Sequence, residues 1–228
     1  MQTVGLSDDE VSIDWDGIVR SGDDALRIVP KITGVKQFSD SLLLLKLGHS
    51  ECVSDPDIVV PEHRNLVGIG PGPRHAWTIE PPCDPESIMY KEIDIIGGRI
   101  IARTDTNHCH DIDHETGEIL DDWPGTEFRI GDTTVSFPEG EIAQVELFDG
   151  ILILQTTEPN LFGFDADGTK LWERLDDPGW GLNPKEGRFI LYRVPTRRKK
   201  MAFRLDTVTG KIVEQTYGGS YGEKYVDE

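Results

Sequence analysis

A small all-β fold made of repeated four-stranded antiparallel blades, a β-propeller, is predicted by three observations on the sequence. The stretch "NLFGFDADGTKLW" at 160–172 has an earlier version, "NLVGIGPGPRHAW", aligned without a gap from Asn65 on Asn160 to Trp77 on Trp172. "IGGRIIARTDTNHCHDID" at 96–113 lies gap-free on "FDGILILQTTEPNLFGFD" at 148–165, placing Gly98 on Gly150, Thr104 on Thr156 and Asp113 on Asp165. A further copy begins at "EGRFILYR" (186–193) and resumes at "MAFRLDTVTGKIV" (201–213), with Asp206 and Gly210 on Asp113 and Gly117 and a longer connecting loop. A fixed internal period marks an architecture that stacks one supersecondary unit several times.

Each copy reads as a Gly turn, an apolar strand, a short polar link, a second apolar strand, then Asp and a Gly-containing turn into a third strand. One more strand precedes each: "IMYKEIDII" before the second copy and "IAQVELF" before the third. Four strands per unit is the content of a propeller blade. The first unit is degenerate: after "SLLLLKL" (41–47) the excursion "GHSECVSDPDIVVPEHR" intervenes before "NLVGIGPGPRHAW" restores the pattern. Upstream, "EVSIDW", "GIVRS" and "ALRIVPKI" form short strands expected to share a blade with C-terminal residues such as "KIVEQTY", an overlap that would close the ring and remove exposed sheet edges. The expectation is one domain over 1–228 with five blades, four larger ones being the alternative.

The motifs "DIDHETGEILDDW", "FDADGTKLW" and "RLDTVTGKIV" resemble the quinoprotein-type repeat, an apolar strand, Asp, two residues, Thr-Gly and an apolar strand often closing on Trp. The resemblance covers 96–213 well and 38–77 loosely, and it implies a propeller. It does not extend to the cofactor: quinone-dependent relatives are longer and carry a vicinal cysteine pair, whereas Cys52, Cys83 and Cys109 are scattered. A short cofactor-free relative is therefore expected, with no quinone. Turn chemistry explains the motif without a ligand. Asp113 or Asp206 can accept bonds from N–H groups two residues on, and Gly117 or Gly210 tolerates positive φ. Trp77, Trp123 and Trp172 are expected to bury their rings between neighbouring units.

The formal charge of −19, from 42 acidic against 23 basic residues, repels phosphate backbones and anionic lipid, so neither nucleic acid nor membrane is an expected partner. Asp outnumbers Glu and Arg outnumbers Lys, a composition resembling that of salt-adapted proteins. The N-terminal stretch lacks the features of an export signal, and no apolar run reaches membrane-spanning length, which together read as cytoplasmic. Three scattered cysteines, none in a C-x-x-C pair, are expected to be free thiols.

Three clusters could carry chemistry. In "NHCHDIDH", His108, His110 and His114 are the candidate ligands of a divalent metal; on a strand His108 and His110 face the same way about 7 Å apart, while Cys109 and Asp111 face the other. The repeat argues for a core role instead, because His110 falls on Val67, Phe162 and Phe203 of the sister copies. "RVPTRRKK" concentrates Arg193, Arg197, Arg198, Lys199 and Lys200 in a lengthened hairpin, either a solvated tip or a docking loop for an acidic protein partner. The excursion 48–64 holds His49, Glu51, Cys52, Asp55, Asp57, Glu62 and His63, and loops at one rim of a propeller often carry its binding function. No nucleophile elbow, phosphate-cradling loop or metalloprotease motif is present. The expected function is a binding or scaffold module acting through rim loops 48–64 and 193–200; the alternative is a hydrolase with a divalent ion or paired carboxylates where strands converge.

Overall fold

The computed structural model describes residues 1–7, 9–48, 55–130, 132–137, 140–157, 160–174, 181–185, 188–196, 199–218 and 223–225, with backbone alone for 9, 62 and those within 181–202 and 215–225. Apart from one 3-10 turn at Glu62–Arg64, their regular structure is entirely β. Contacts divide the chain into two compact units, Met1–Pro124 and Gly125–Glu228.

The first unit contains three sheets. β1 (Gln2–Leu6), β2 (Asp9–Asp14), β3 (Ile18–Ser21) and β4 (Asp24–Val29) run as an antiparallel meander. β5 (Ile32–Ser39), β6 (Leu42–Leu47), β8 (Leu66–Gly70) and β9 (Arg74–Thr78) form the second sheet, while β7 (Ile58–Val59), inside the excursion, joins β4 in parallel. β10 (Tyr90–Ile96), β11 (Arg99–Thr104), β12 (Cys109–Ile112) and β13 (Ile119–Trp123) form the third.

The second unit opens with a hairpin of β14 (Glu127–Ile130) and β15 (Thr133–Ser136) that the repeat does not anticipate. Two sheets follow. The first holds β16 (Ile142–Phe148), β17 (Ile151–Thr156), β18 (Leu161–Phe164) and β19 (Lys170–Arg174); the second holds β20 (Gly181–Lys185), β21 (Arg188–Thr196), β22 (Lys199–Leu205), β23 (Ile212–Gly218) and β24 (Glu223–Tyr225).

Middle strands are the apolar ones because they are covered on both faces. The two-residue period of "LLLLKL" divides its leucines between neighbours: Leu43, Leu45 and Leu47 pack with Leu6, Ile13, Val19 and Ile28 of the first sheet, while Leu42 and Leu44 pack with Tyr90, Ile93 and Ile100 of the third. In the second unit Ile153, Leu161 and Trp172 pack likewise on Phe203 and Leu205.

Among the described residues the chain's two ends share no sheet, contrary to the expected ring-closing blade. The N-terminal strands complete their own sheet because Gln2–Leu6, not counted as a strand from the sequence, pairs along its whole length with β2. Of "KIVEQTY", residues 212–217 lie instead in β23, between β22 and β24.

The turn reading holds in three copies. Asp113 Oδ1 accepts from the N–H groups of Glu115 and Thr116 at 2.7 and 2.9 Å, Asp165 Oδ1 from Asp167 and Thr169 at 3.1 and 2.8 Å, and Asp206 Oδ1 from Val208 and Thr209 at 3.0 Å each. Gly117, Gly168 and Gly210 close these turns at φ of 76°, 79° and 68°. The Trp of one sheet then docks on the turn of the next. Trp77 Nε1 donates to the His114 carbonyl at 2.8 Å, and Trp172 Nε1 to that of Thr207 at 2.7 Å.

Trp123 departs from that pattern. Its register partner is Cys109, whereas Trp77 and Trp172 stand opposite Gly68 and Gly163. It is therefore two positions further along its strand and packs with Ile101 and Cys109 of its own sheet. The glycine position is taken by Asp111, whose carboxylate accepts from Arg99 Nε and Nη2 at 2.9 and 2.6 Å.

A pair of glycine substitutions separates backbone strain from docking. Gly98 and Gly117 share a φ of 76°, but a Cβ at Gly98 meets nothing within 4 Å and one at Gly117 would stand 2.7 Å from Trp77 Cε3. Gly98→Ala is expected to cost about 1 kcal/mol and Gly117→Ala about 2–4 kcal/mol in urea unfolding. Equal losses would show that Trp77 does not press on the turn.

Candidate functional site

His110 sits in the middle of β12, opposite Ala102 of β11, and is wholly buried. Its Nε2 accepts the Cys83 N–H at 3.3 Å, which assigns the ring proton to Nδ1, and Tyr90 meets the ring edge-on at 5.6 Å. Burial lowers its pKa first, the neighbouring His108 second. His108 lies 5.4 Å from it between ring centroids, with Nδ1 3.8 Å from Asp122 Oδ2. His114 is not brought to this pair. It lies past the other end of β12, stacked on Phe38 at 5.2 Å. Among the described residues no three His, Cys, Asp or Glu side chains come together to hold a metal ion.

Around the pair is a polar knot. Asp84 accepts from Thr106 Oγ1 at 2.6 Å, Ser87 Oγ at 3.0 Å and the Glu86 N–H at 3.0 Å, and these bonds, the Thr106 hydroxyl foremost, hold its carboxyl below the usual range. Cys83 is exposed, but partial burial and then the charges of Asp122 and Glu80 raise its thiol, so it is a poor thiolate nucleophile. Cys109 is buried and pushed up to about 12 by desolvation. Both are free; Cys52 lies outside the described residues.

The buried carboxylates of this unit are each matched by cations, as structural carboxylates are. Asp94 lies 3.3 Å from Lys36 Nζ and 3.9 Å from Arg103 Nη2; burial raises its pKa and these two cations oppose the rise. Asp111 is held by Arg99.

Of the excursion 48–64, residues 49–54, with His49, Glu51 and Cys52, lie outside the described residues. The rest is fastened to the edge of the first sheet: Asp57 N–H donates to the Arg27 carbonyl at 2.9 Å, Arg27 N–H to Asp57 Oδ2 at 2.7 Å, and Val60 N–H to the Val29 carbonyl at 2.8 Å. Ile58 packs inward, and Val59 is 70% exposed. In the basic hairpin, Arg193 belongs to β21 and Lys199 and Lys200 to β22, which confirms a long hairpin. Arg197 and Arg198 lie outside the described residues, as do the side chains of Arg193, Lys199 and Lys200.

A cavity of about 230 Å³, which the sequence reading missed, opens in the second unit between the β14–β15 hairpin and β17–β19. Phe137, Phe162 and Phe164 line it with Asn160, and Lys170 and Glu173, paired with each other, stand at its wall. Phe162 lies 5.0 Å from Phe137 and 6.4 Å from Phe164 between ring centroids. The available signal was length: the stretch from Trp123 to Ile142 exceeds that from Trp77 to Tyr90, leaving room for an inserted wall.

Residues 53–123 match the model of a domain of unknown function, DUF7957. No curated protein matches the chain. Among solved structures it is similar to the WD40 domain of Pan2 from Neurospora crassa, at 11% identity and a TM-score of 0.55 over 97% of this chain and 72% of that one. It is also similar to the computationally designed Ika8 protein (12%, TM-score 0.56, 98% and 70%) and to BamB from Moraxella catarrhalis (12%, TM-score 0.42, 97% and 88%). With its four-stranded antiparallel sheets and its likeness to a WD40 domain, the fold is that of the β-propellers.

Proposed function

We propose that the chain is a protein-binding module, a cofactor-free relative of the quinoprotein-type propellers that engages its partner through the excursion 48–64. The observation that carries this reading is the fastening of Asp57–Val60 onto β4 while Val59 remains 70% exposed. A segment fastened before binding, as 57–60 is, loses less entropy on association, so its cost in affinity is small. An insertion into one copy of a repeat, its residues 57–60 fastened to β4 and presenting an aliphatic side chain, is where such a module would differ from its sister units.

Capture from a lysate by the full chain tests it, comparing Val59→Asp with Val208→Asp, a control at a 64% exposed position. A protein retained by the wild type and by Val208→Asp, and recovered at least tenfold less by Val59→Asp, is the expected result. Identical recovery by both variants would remove the excursion from binding.

A further inference from the structure

We propose that the cavity between the β14–β15 hairpin and the β16–β19 sheet binds a neutral, planar aromatic molecule of one or two rings with a hydrogen-bonding edge, as a nucleobase has. The repeat supplies the first argument. Val67, His110, Phe162 and Phe203 hold the same place, opposite Leu45, Ala102, Leu154 and Leu191 in register. Val67, His110 and Phe203 are buried, whereas Phe162 is half-buried and borders the cavity. The hairpin, an insertion peculiar to this copy, supplies the opposite wall through Val135 and Ser136, with Phe137 following it.

Shape and chemistry then narrow the occupant. A cavity of about 230 Å³ exceeds the roughly 150 Å³ that suffices for benzene. Phe162 and Phe137 meet at 54°, leaving ring faces and edges to which a flat aromatic ligand can add in offset or edge-on geometry. Asn160 provides the polar contact. Its counterpart Asn65 is locked, donating to the carbonyls of Leu47 and Tyr90 at 3.3 and 2.8 Å and accepting the Tyr90 N–H at 2.8 Å. Among the described residues the Asn160 amide makes no such side-chain bond, so its donor and acceptor are free to meet a ligand edge, as Asn meets adenine. Lys170 and Glu173 neutralise each other at the wall, which favours a ligand without net charge.

Calorimetric titration of the full chain with adenine, indole and AMP tests the assignment. Adenine is expected to bind one to one with a Kd on the order of 100 μM, indole several-fold more weakly and AMP more weakly than adenine. Phe162→Leu, which keeps bulk but not the ring, should weaken adenine about tenfold, and Asn160→Leu should reduce adenine to the affinity of indole. Near-UV circular dichroism confirms that each variant is folded. The proposal is overturned by the absence of saturable adenine binding, by indole binding the wild type as tightly as adenine, or by adenine binding that survives both substitutions.

Discussion

Trp172→Ala is expected to remove about 3–5 kcal/mol of unfolding free energy, the largest single loss anticipated for this chain. The indole is 8% exposed and serves two glycines at once. A Cβ on Gly163 would stand 2.2 Å from its Cε2, and one on Gly210 would stand 2.5 Å from its Cδ2, so the ring fills a slot whose walls are bare backbone. Backbone cannot collapse into the space as side chains do, and truncation leaves a cavity beside two turns. It also takes the indole donor from the carbonyl of Thr207, a residue that is itself 9% exposed. Trp172→Phe keeps an aromatic ring in the slot but removes the donor, and should cost about 1–3 kcal/mol for the unpaired carbonyl and the smaller ring together. Urea unfolding of both variants, followed by far-UV circular dichroism, checks the values. A loss below 1 kcal/mol for Trp172→Ala would mean that the ring does not hold β19 to the turn before β23.

That docking was legible in the sequence because its parts are local. Asp, Gly and Trp recur at fixed offsets, and each implies its own geometry: a carboxylate accepting from the next N–H groups, a positive φ, and a large ring needing cover. Strand runs such as "LLLLKL" and "ILILQT" were legible for the same reason. Partner choice was not. Nothing within Gln2–Leu6 states that it pairs with Asp9–Asp14, so the sequence alone leaves the N-terminal strands open to a blade shared with the C-terminal residues. Trp123 does not dock on a turn as Trp77 and Trp172 do, because a shift of two positions keeps the residue on the same face of its strand while placing it opposite Cys109. The histidine cluster shows the opposite limit. Residues close in sequence stay strung along a strand, so β12 separates His114 from His108 by its whole length, and only the alignment with Val67, Phe162 and Phe203 pointed to burial. The cavity is not legible in the sequence because its walls come from an insertion and three strands, a juxtaposition that no single segment encodes.

The same burial makes His110 a source of pH-dependent stability, which His110→Phe, the residue found at Phe162 and Phe203, should abolish. In the folded chain its pKa lies below the ordinary 6.5, because the ring is desolvated and His108 adds like charge; Asp122 and Asp84 oppose the shift without reversing it. Protonation would also turn Nε2 into a donor facing the Cys83 N–H. Between the folded value and about 6.5 the unfolded chain therefore binds more protons than the folded one, and stability must fall as the pH falls. The contribution is complete above pH 6.5 and is lost progressively below it, with a slope of at most about 1.4 kcal/mol per pH unit. Asp84, Asp113 and Asp206, whose pKa values are lowered from 3.8 chiefly by hydrogen bonds, withdraw their own contributions only in more acidic solution. His75, also lowered by burial, is present in both proteins and cancels in the difference. Urea unfolding of the wild type and His110→Phe from pH 7.5 to 5 reads that difference directly. It should shift in favour of the variant as acid is added below pH 6.5; a constant difference would mean that His110 takes up its proton as readily in the folded chain as in the unfolded one.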